Sequence, residues 1–257
     1  MHGATYRAPR AGSQQSAPAM SSFGASMATA VDLVLGADPR LAQTVLLSLQ
    51  VSGAATLVGS LIGLLAGAWL ATASFPGQRA LIGVLNTLLA LPSVVVGLVV
   101  YLLLSRAGPL GDLGLLFTPT AMVIAQSILV VPLIAALARR LVLDGLAEGG
   151  DQLRSMGAGP LLSALLLLVH ARFGVLTVLL TAFGRAIAEV GAVMIVGGNI
   201  DGVTRVMTTA IALETSKGDL PLALALGVVL LGVVGVVNLL IAAVQPRGQG
   251  VQREALA

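Results

Sequence analysis

Five long intervals of the sequence carry almost no charge, and this constrains the fold more than any other feature. Each is long enough to hold a helix of about 20 residues, the length that crosses the hydrocarbon core of a bilayer. The whole chain is 57% hydrophobic and 10% charged, whereas soluble domains carry about 25% charge. The sequence therefore predicts an all-α polytopic membrane protein. Four of the intervals contain no charge at all and lie between Arg40 and Arg79, Arg79 and Arg106, Asp112 and Arg139, and Asp219 and Arg247.

The fifth interval is broken by two charges. Residues 183–200 read FGRAIAEVGAVMIVGGNI, in which Arg185 and Glu189 are the only ionised side chains. A charge at the centre of a bilayer costs at least about 2.5 kcal/mol on insertion scales. At a spacing of four residues the two side chains share one helix face, so they can pair with each other or with a neighbouring helix.

These intervals predict five membrane spans inside one transmembrane domain at 41–244. Pro92 lies in the second span, where it removes a backbone hydrogen bond and predicts a kink. The polar segment 139–172 separates the third span from the fourth, and its apolar run at 161–169 is too short to cross and is expected to form a surface helix. The spans are expected at about 45–71, 81–104, 119–138, 173–196 and 220–244.

Three glycines repeat at four-residue intervals in the first span. Gly59, Gly63 and Gly67 fall on one helix face, where small residues let another helix approach closely. The pattern favours packing within the subunit over a contact between two copies.

Arginine placement predicts the orientation, because short loops rich in Lys and Arg stay on the cytoplasmic side. With 139–172 inside, only Arg106, Arg205 and Lys217 fall in outer loops. The N-terminus is then outside and the C-terminus inside, although Arg7, Arg10 and Arg40 of the N-terminal part argue against it. The arginines placed inside are Arg79, Arg139, Arg140, Arg154, Arg172, Arg247 and Arg253.

Both ends of the chain are expected to lie outside the folded domain. Residues 1–36, rich in Ala, Ser, Gly, Gln and Pro, are predicted to be a disordered tail with a short apolar piece at its end. Met20 or Met27 is an alternative start to Met1. Residues 245–257 are predicted to form a short cytoplasmic tail.

Several kinds of catalytic site are excluded by residue type. No G-x-x-x-x-G-K-[ST] phosphate loop is present, so we expect the chain not to hydrolyse ATP by itself. The chain has no cysteine and only two histidines, His2 and His170, which excludes the usual zinc motifs. We therefore expect a transport subunit that is no enzyme and holds no metal or cofactor. The basic excess fits membrane topology, and no nucleic-acid partner is expected.

The inner segment 151–160, DQLRSMGAGP, has an acidic residue, a short helical stretch and then a glycine that can end the helix. It resembles the cytoplasmic coupling loop of bacterial ABC importer permeases, whose pattern is Glu-Ala-Ala, three residues and Gly. Asp151 and Gly157 match the acidic and glycine positions. Gln152 and Leu153 stand where the family has alanines, and His170 falls about where it often has proline.

Three further segments make the resemblance more specific. They are FGRAIAEVGAVMIVGGNI at 183–200, TRVMTTAIALETSKGDL at 204–220, and the pair LPSVVVGL and SRAGPLG. Together they are similar to permeases of the molybdate and tungstate branch of ABC importers, over about 41–244. EVGAVMIVGGNI followed by MTTAIALETSKGD looks closer to the tungstate permeases than to the molybdate ones.

The resemblance implies a type I ABC importer fold and a bacterial inner-membrane location. It also implies a homodimer of this subunit, two cytoplasmic ATP-binding subunits, and an external oxyanion-binding protein that delivers tungstate as cargo. The coupling loop would seat in the ATPase and convert its closure into movement of the spans. Its residues are Glu148, Asp151, Arg154 and Gly157.

Two further sets of residues are candidates for a role in transport. Glu189 would largely neutralise Arg185, so we interpret the two as a structural ion pair in a moving helix rather than a tight anion site. The outer segment after Gly197 offers hydroxyl and cationic groups for an oxyanion or for the binding protein. It could equally be a connecting loop with a partly inserted helix. Its candidate residues are Asn199, Thr204, Arg205, Thr208 and Thr209.

Three other functions stay open on the sequence. Molybdate or another tetrahedral dianion of similar size could be the cargo. A polytopic membrane enzyme could use Glu189 as a buried acid or base, but Arg185, which cannot deprotonate, is the only other reactive group nearby. The chain could also be a structural membrane subunit without transport activity.

Overall fold

The computed structural model describes residues 39–244 and, before them, residues 24, 28, 31, 32 and 36. The predictions for the tail at 1–36 fall largely outside these residues. Those for the starting methionines and for the tail at 245–257 fall wholly outside them.

Within residues 39–244 the regular structure is helical, and no strand occurs there, so the all-α prediction is confirmed. A short 3₁₀ turn, Gly111–Leu113, lies in the connection before the fourth helix. The α-helices are α1 (Pro39–Thr72), α2 (Gln78–Leu89), α3 (Ser93–Leu104), α4 (Pro119–Ser155), α5 (Pro160–His170), α6 (Arg172–Ile187), α7 (Gly191–Gly197), α8 (Met207–Lys217) and α9 (Leu220–Val244).

Three of these helices are long and apolar enough to cross a membrane by themselves. They are α1 with 34 residues, α4 with 37 and α9 with 25. Two bent pairs, α2 with α3 and α5 with α6, would raise the number to five if each pair made one crossing. The described part of the chain is therefore that of a polytopic membrane protein.

The second expected span is broken into two helices, and the bend between them is sharper than a proline kink in one helix. α2 ends at Leu89, α3 begins at Ser93, and the two axes differ by 98°. Pro92 lies directly before α3 in an extended conformation, which suits proline at a helix start but not inside a helix. The expectation of one kinked helix over 81–104 is corrected accordingly.

The third helix does not end where the polar segment begins. α4 continues past Arg139 to Ser155, through Pro132 and through residues expected to form a loop. A helix can accommodate the Arg, Leu, Ala, Glu and Asp residues of this stretch. Buried Val142 also packs with Ala164 and Leu168 of α5. The helix that holds the expected third span therefore continues to Ser155, beyond the expected end of the span at 138. The apolar run at 161–169 lies in a separate helix, α5, and its position at the membrane surface stays a prediction.

The fourth expected span, 173–196, is also two helices. α6 ends at Ile187 and α7 begins at Gly191, so the interruption falls at Glu189 and its two neighbours. The break therefore places Glu189 between the end of α6 and the start of α7.

The most extensive helix contact in the described chain joins α1 and α4. The three glycines of α1 face α4. A Cβ on Gly63 would lie 2.8 Å from Ile134 Cβ and 3.0 Å from the Val131 carbonyl oxygen. The glycine repeat therefore packs within the chain, as the sequence favoured.

Four buried clusters surround the middle of the molecule. One joins α1, α3, α4 and α7, and another joins α1, α6, α8 and α9. A third joins α4 to α6, with Val130 and Ile134 against Val178 and Ala182. The break between α6 and α7 lies where these clusters meet.

We expect Gly63→Ala to destabilise the fold, because the new methyl group meets the backbone and a branched side chain of α4. Overpacking of this kind costs about 1–3 kcal/mol. Gly53 lies in the same helix, and a Cβ added there would have nothing within 4 Å, so Gly53→Ala is the matched control. The thermal unfolding midpoint in detergent should fall for the first variant and not for the second. Equal midpoints would contradict the tight α1–α4 contact.

Candidate functional site

Glu189 lies in the three-residue break between α6 and α7, and its side chain is only 4% exposed. Arg185 Nη1, on the last turn of α6, donates to Glu189 Oε2 at 2.7 Å. The backbone N–H of Ala192, in the first turn of α7, donates to Oε1 at 3.2 Å. Both carboxylate oxygens thus have a donor, and the carboxylate connects the two halves of the broken helix.

Two other helices meet at the same residue. The side chain of Ser93, the first residue of α3, interacts with the Glu189 carboxylate. The Thr208 hydroxyl on α8 donates to the Glu189 carbonyl oxygen at 2.7 Å. A Cβ on Gly191 would lie 2.9 Å from Ser93 Oγ and 2.7 Å from Val94 Cγ2, so α3 approaches α7 closely only because this position is glycine. We call this meeting of α3, α6, α7 and α8 the Glu189 junction.

Arg185 is the accessible member of the pair. Its side chain is 47% exposed, whereas the carboxylate is enclosed by hydrogen-bond donors. The guanidinium is therefore partly exposed at the protein surface, and the Glu189 carboxylate offsets its charge. This geometry is that of an ion pair, which fits the structural interpretation. A role in transport stays a prediction.

Gln126 on α4 belongs to the junction and was not predicted from the sequence. It is 3% exposed, and its Nε2 donates to the Ala186 carbonyl oxygen at 3.0 Å. Its Oε1 is buried without a hydrogen-bond partner, and with Arg185 and Glu189 it lines one small cleft. A lone glutamine in a long uncharged interval was the available signal, since buried polar groups in membrane helices are costly unless they are used.

The segment after α7 forms a compact turn held by its threonines. Thr204, fully buried, donates to the Gly197 carbonyl oxygen at 2.6 Å and accepts from the Ile200 N–H at 3.0 Å. Thr209, also fully buried, accepts from the Val206 N–H at 3.2 Å. The hydroxyls of Thr204, Thr208 and Thr209 are therefore used inside the fold.

Two residues of the same turn keep unused polar atoms. Arg205 pairs with Asp201 at 2.9 Å, and its Nε is buried without a partner. Asn199, at φ 52°, donates to the Thr209 carbonyl oxygen at 3.3 Å, and its Oδ1 has no partner. A contact of this segment with an oxyanion or a binding protein remains a prediction.

Residues 148–157, which hold the predicted coupling residues and are called the coupling segment below, form the exposed end of α4 and the turn after it. Glu148, Asp151 and Arg154 are all exposed, and Arg154 lies 3.9 Å from Asp151. Gly157 has φ 78°, the left-handed conformation that commonly ends a helix at glycine. Gln126 and Asp151 lie 25 positions apart on one helix, about 38 Å at 1.5 Å per residue. α4 thus physically links the coupling segment to the Glu189 junction.

The relatives found by comparison with known proteins are permease proteins of transport systems. The chain is 43% identical over 216 residues to a tungstate uptake system permease protein from Peptoclostridium acidaminophilum, covering 84% of this chain and 95% of the relative. It is 42% identical over 208 residues to a probable anion ABC transporter permease protein from Haloferax volcanii, covering 79% and 90%. It is 31% identical over 191 residues to a putative molybdenum transport system permease protein from Bacillus subtilis, covering 70% and 82%. No protein-family model matches the chain.

We expect Glu189→Ala to cost about 1–3 kcal/mol of stability, because it removes a buried acceptor from several donors. Glu189→Gln should cost less, since its amide oxygen can still accept from Ala192. Exchanging the two residues as Arg185→Glu with Glu189→Arg should not restore stability, because arginine cannot accept from the Ala192 N–H.

The control is Asp151→Ala, which removes the fully exposed Asp151–Arg154 pair at three-residue spacing. Exposed pairs contribute less than about 1 kcal/mol. The thermal unfolding midpoint of all four variants is measured in detergent. Full recovery in the exchanged double variant would show that the charge pair alone matters and would contradict the role of Glu189 at the start of α7.

Proposed function

This chain belongs to the ABC transporter permease family, and from that premise we propose that it is the membrane subunit that passes tungstate into the cytoplasm. The observation that carries the proposal is the 43% identity to a tungstate uptake permease across 95% of that relative's length. ATP would be hydrolysed on a separate subunit, since this chain has no phosphate loop.

The proposed assembly contains two copies of this chain, two cytoplasmic ATP-binding subunits and an external oxyanion-binding protein, in the inner membrane of a bacterial cell. The coupling segment faces the ATP-binding subunits, so its side of the membrane is cytoplasmic and the chain runs from an outside N-terminus to an inside C-terminus. The arginine bias of the sequence supports this orientation.

Movement would travel along α4. The coupling segment is the end of that helix, and Gln126 on its other half donates to Ala186 beside the Glu189 junction. A displacement of the coupling segment therefore acts on the one place where the α6–α7 path is broken. Breaks between packed elements can absorb the backbone change of a hinge. We assign the junction the role of hinge and Arg185 with Glu189 the role of holding it in register.

Molybdate is the competing cargo. A putative molybdenum permease is 31% identical to the chain, and the two oxyanions share charge and shape. The higher identity to the tungstate permease favours tungstate. Selectivity for either ion would reside mainly in the external binding protein.

Replacing both acidic residues of the coupling segment should uncouple the assembly. In Glu148→Ala with Asp151→Ala, we expect loss of co-purification with the ATP-binding subunits and an unchanged unfolding midpoint, because both side chains are exposed. Asp112→Ala, an exposed acidic residue in the connection before α4, is the control and should retain the partner. Undiminished co-purification in the double variant would remove the coupling role from this segment.

The cargo is tested with the complex reconstituted in liposomes with its binding protein. Tungstate should stimulate ATP hydrolysis and accumulate inside at lower concentrations than molybdate, and sulfate should do neither. Equal responses to tungstate and molybdate would leave the permease proposal intact but remove the assignment to tungstate. No stimulation by any oxyanion would contradict the transport proposal itself.

A further inference from the structure

We propose that the end of α1, the middle of α4 and the start of α6 form a binding site for the headgroup of an anionic phospholipid, centred on Arg139. This inference is independent of the cargo and concerns a surface that the Glu189 junction does not use. We call the site the arginine pocket and define it by Arg79, Arg139, Arg140 and Arg172.

Helix packing brings α1, α2 and α4 together at the arginine pocket. A Cβ on Gly67 of α1 would lie 2.9 Å from the Arg139 backbone nitrogen, so the two helices touch at this level. Gln78 Nε2, at the start of α2, donates to the Leu70 carbonyl oxygen at 3.1 Å. Arg79 therefore lies beside the same end of α1 that Arg139 contacts.

α6 reaches the same level from the other side of α4. A Cβ on Gly174 would lie 2.9 Å from Leu141 Cδ2, which places the start of α6 against the turn that holds Arg140. Arg172 is the first residue of α6, and its guanidinium lies 5.1 Å from the centre of the Phe173 ring. These contacts place the backbones of the four arginines at one level of the bundle.

None of the arginines of the pocket makes an ion pair with the described residues. Within 39–244, none of the four arginines has a carboxylate oxygen within the 4.0 Å of an ion pair. Asp144, one turn after Arg140, does not reach it. Arg139 Nε is buried and has no hydrogen-bond partner. An unpaired buried donor of a charged group is costly, so an acceptor from outside the described chain would stabilise this position.

The depth of the pocket favours a lipid over a protein partner. Trp69 stacks on Phe75 with ring centroids 5.3 Å apart, at the end of α1 that faces Arg139. Aromatic residues collect where a bilayer meets water. Arg139 also lies nine residues before Glu148, the first residue of the coupling segment, which is about 14 Å along α4. The pocket therefore lies at headgroup level rather than at the surface offered to ATP-binding subunits.

An amphiphile fits the surroundings better than a free anion. α2, which packs beside α4, has no buried residue. Its apolar side chains Leu81, Val84 and Leu88 are 41%, 53% and 37% exposed. A phosphodiester could accept from the guanidinium groups while its acyl chains cover this apolar face. Basic pockets at the cytoplasmic ends of membrane helices bind anionic lipids in this way.

The test uses the full chain purified in detergent without any partner subunit. Phosphatidylglycerol and phosphatidylcholine are titrated in mixed micelles, and bound lipid is counted by native mass spectrometry alongside the thermal unfolding midpoint. We expect phosphatidylglycerol to bind and raise the midpoint, and phosphatidylcholine to do neither. Arg139→Gln and Arg140→Gln should each weaken phosphatidylglycerol binding about five-fold, since each cation near the surface contributes about 1 kcal/mol.

Arg106→Gln is the matched control, because Arg106 lies at the opposite end of the bundle and also lacks an ion-pair partner in the described chain. It should bind lipid as the unchanged protein does. If Arg139→Gln does not fold, Arg139→Lys replaces it and should retain most of the binding, because the charge is kept. Equal affinity for both lipids, or equal losses in the Arg106 control, would overturn the proposal. Equal stabilisation by inorganic phosphate or tungstate without lipid would identify a free-anion site instead.

Discussion

The packing around the break between α6 and α7 depends on the hydrogen bonds of the buried Glu189 carboxylate. A charge removed from water is stable only when donors surround it. Here one oxygen accepts from Arg185 and the other from the first turn of α7. Meeting this requirement fixes where α6 ends, where α7 begins and how closely α3 and α8 approach. The break in the membrane path follows from the charge.

The molecule therefore has two mechanically different parts. α1 and α4 pack through glycines along much of their length, with backbone against side chain, and such contacts leave little freedom to slide. α6, α7 and α8 are short and are joined through a few polar contacts at one residue. A long, well-packed helix that ends in the coupling segment, next to a junction of short helices, is suited to turn a displacement at one end into a rearrangement at the other.

Local rules predicted a large part of this arrangement from the sequence. Uncharged length predicted the helices, four-residue spacing predicted the Arg185–Glu189 pair, and the glycine repeat predicted the face that α1 turns to α4. The predicted helix bounds were less accurate.

Arg139 marks the end of the uncharged stretch in the sequence, but α4 continues because α5 covers Val142, a contact that is distant in sequence. The break at 188–190 was missed for a related reason, since it depends on contacts with α3 and α8, including the hydrogen bond from Thr208. Gln126 gave only a weak signal, because its partner is a backbone carbonyl 60 residues away.

The most direct test of the hinge is a pair of distances measured by electron paramagnetic resonance in the assembled complex. The chain has no cysteine, so labels can be placed singly on exposed positions. Ile128 on α4 and Met194 on α7, which are 44% and 39% exposed, report across the junction. Ile128 and Met156, 28 positions apart and about 42 Å if α4 is straight, report along the helix. When ATP is added and trapped, the first distance should change and the second should stay constant. An unchanged first distance in a complex that transports its cargo would contradict the account.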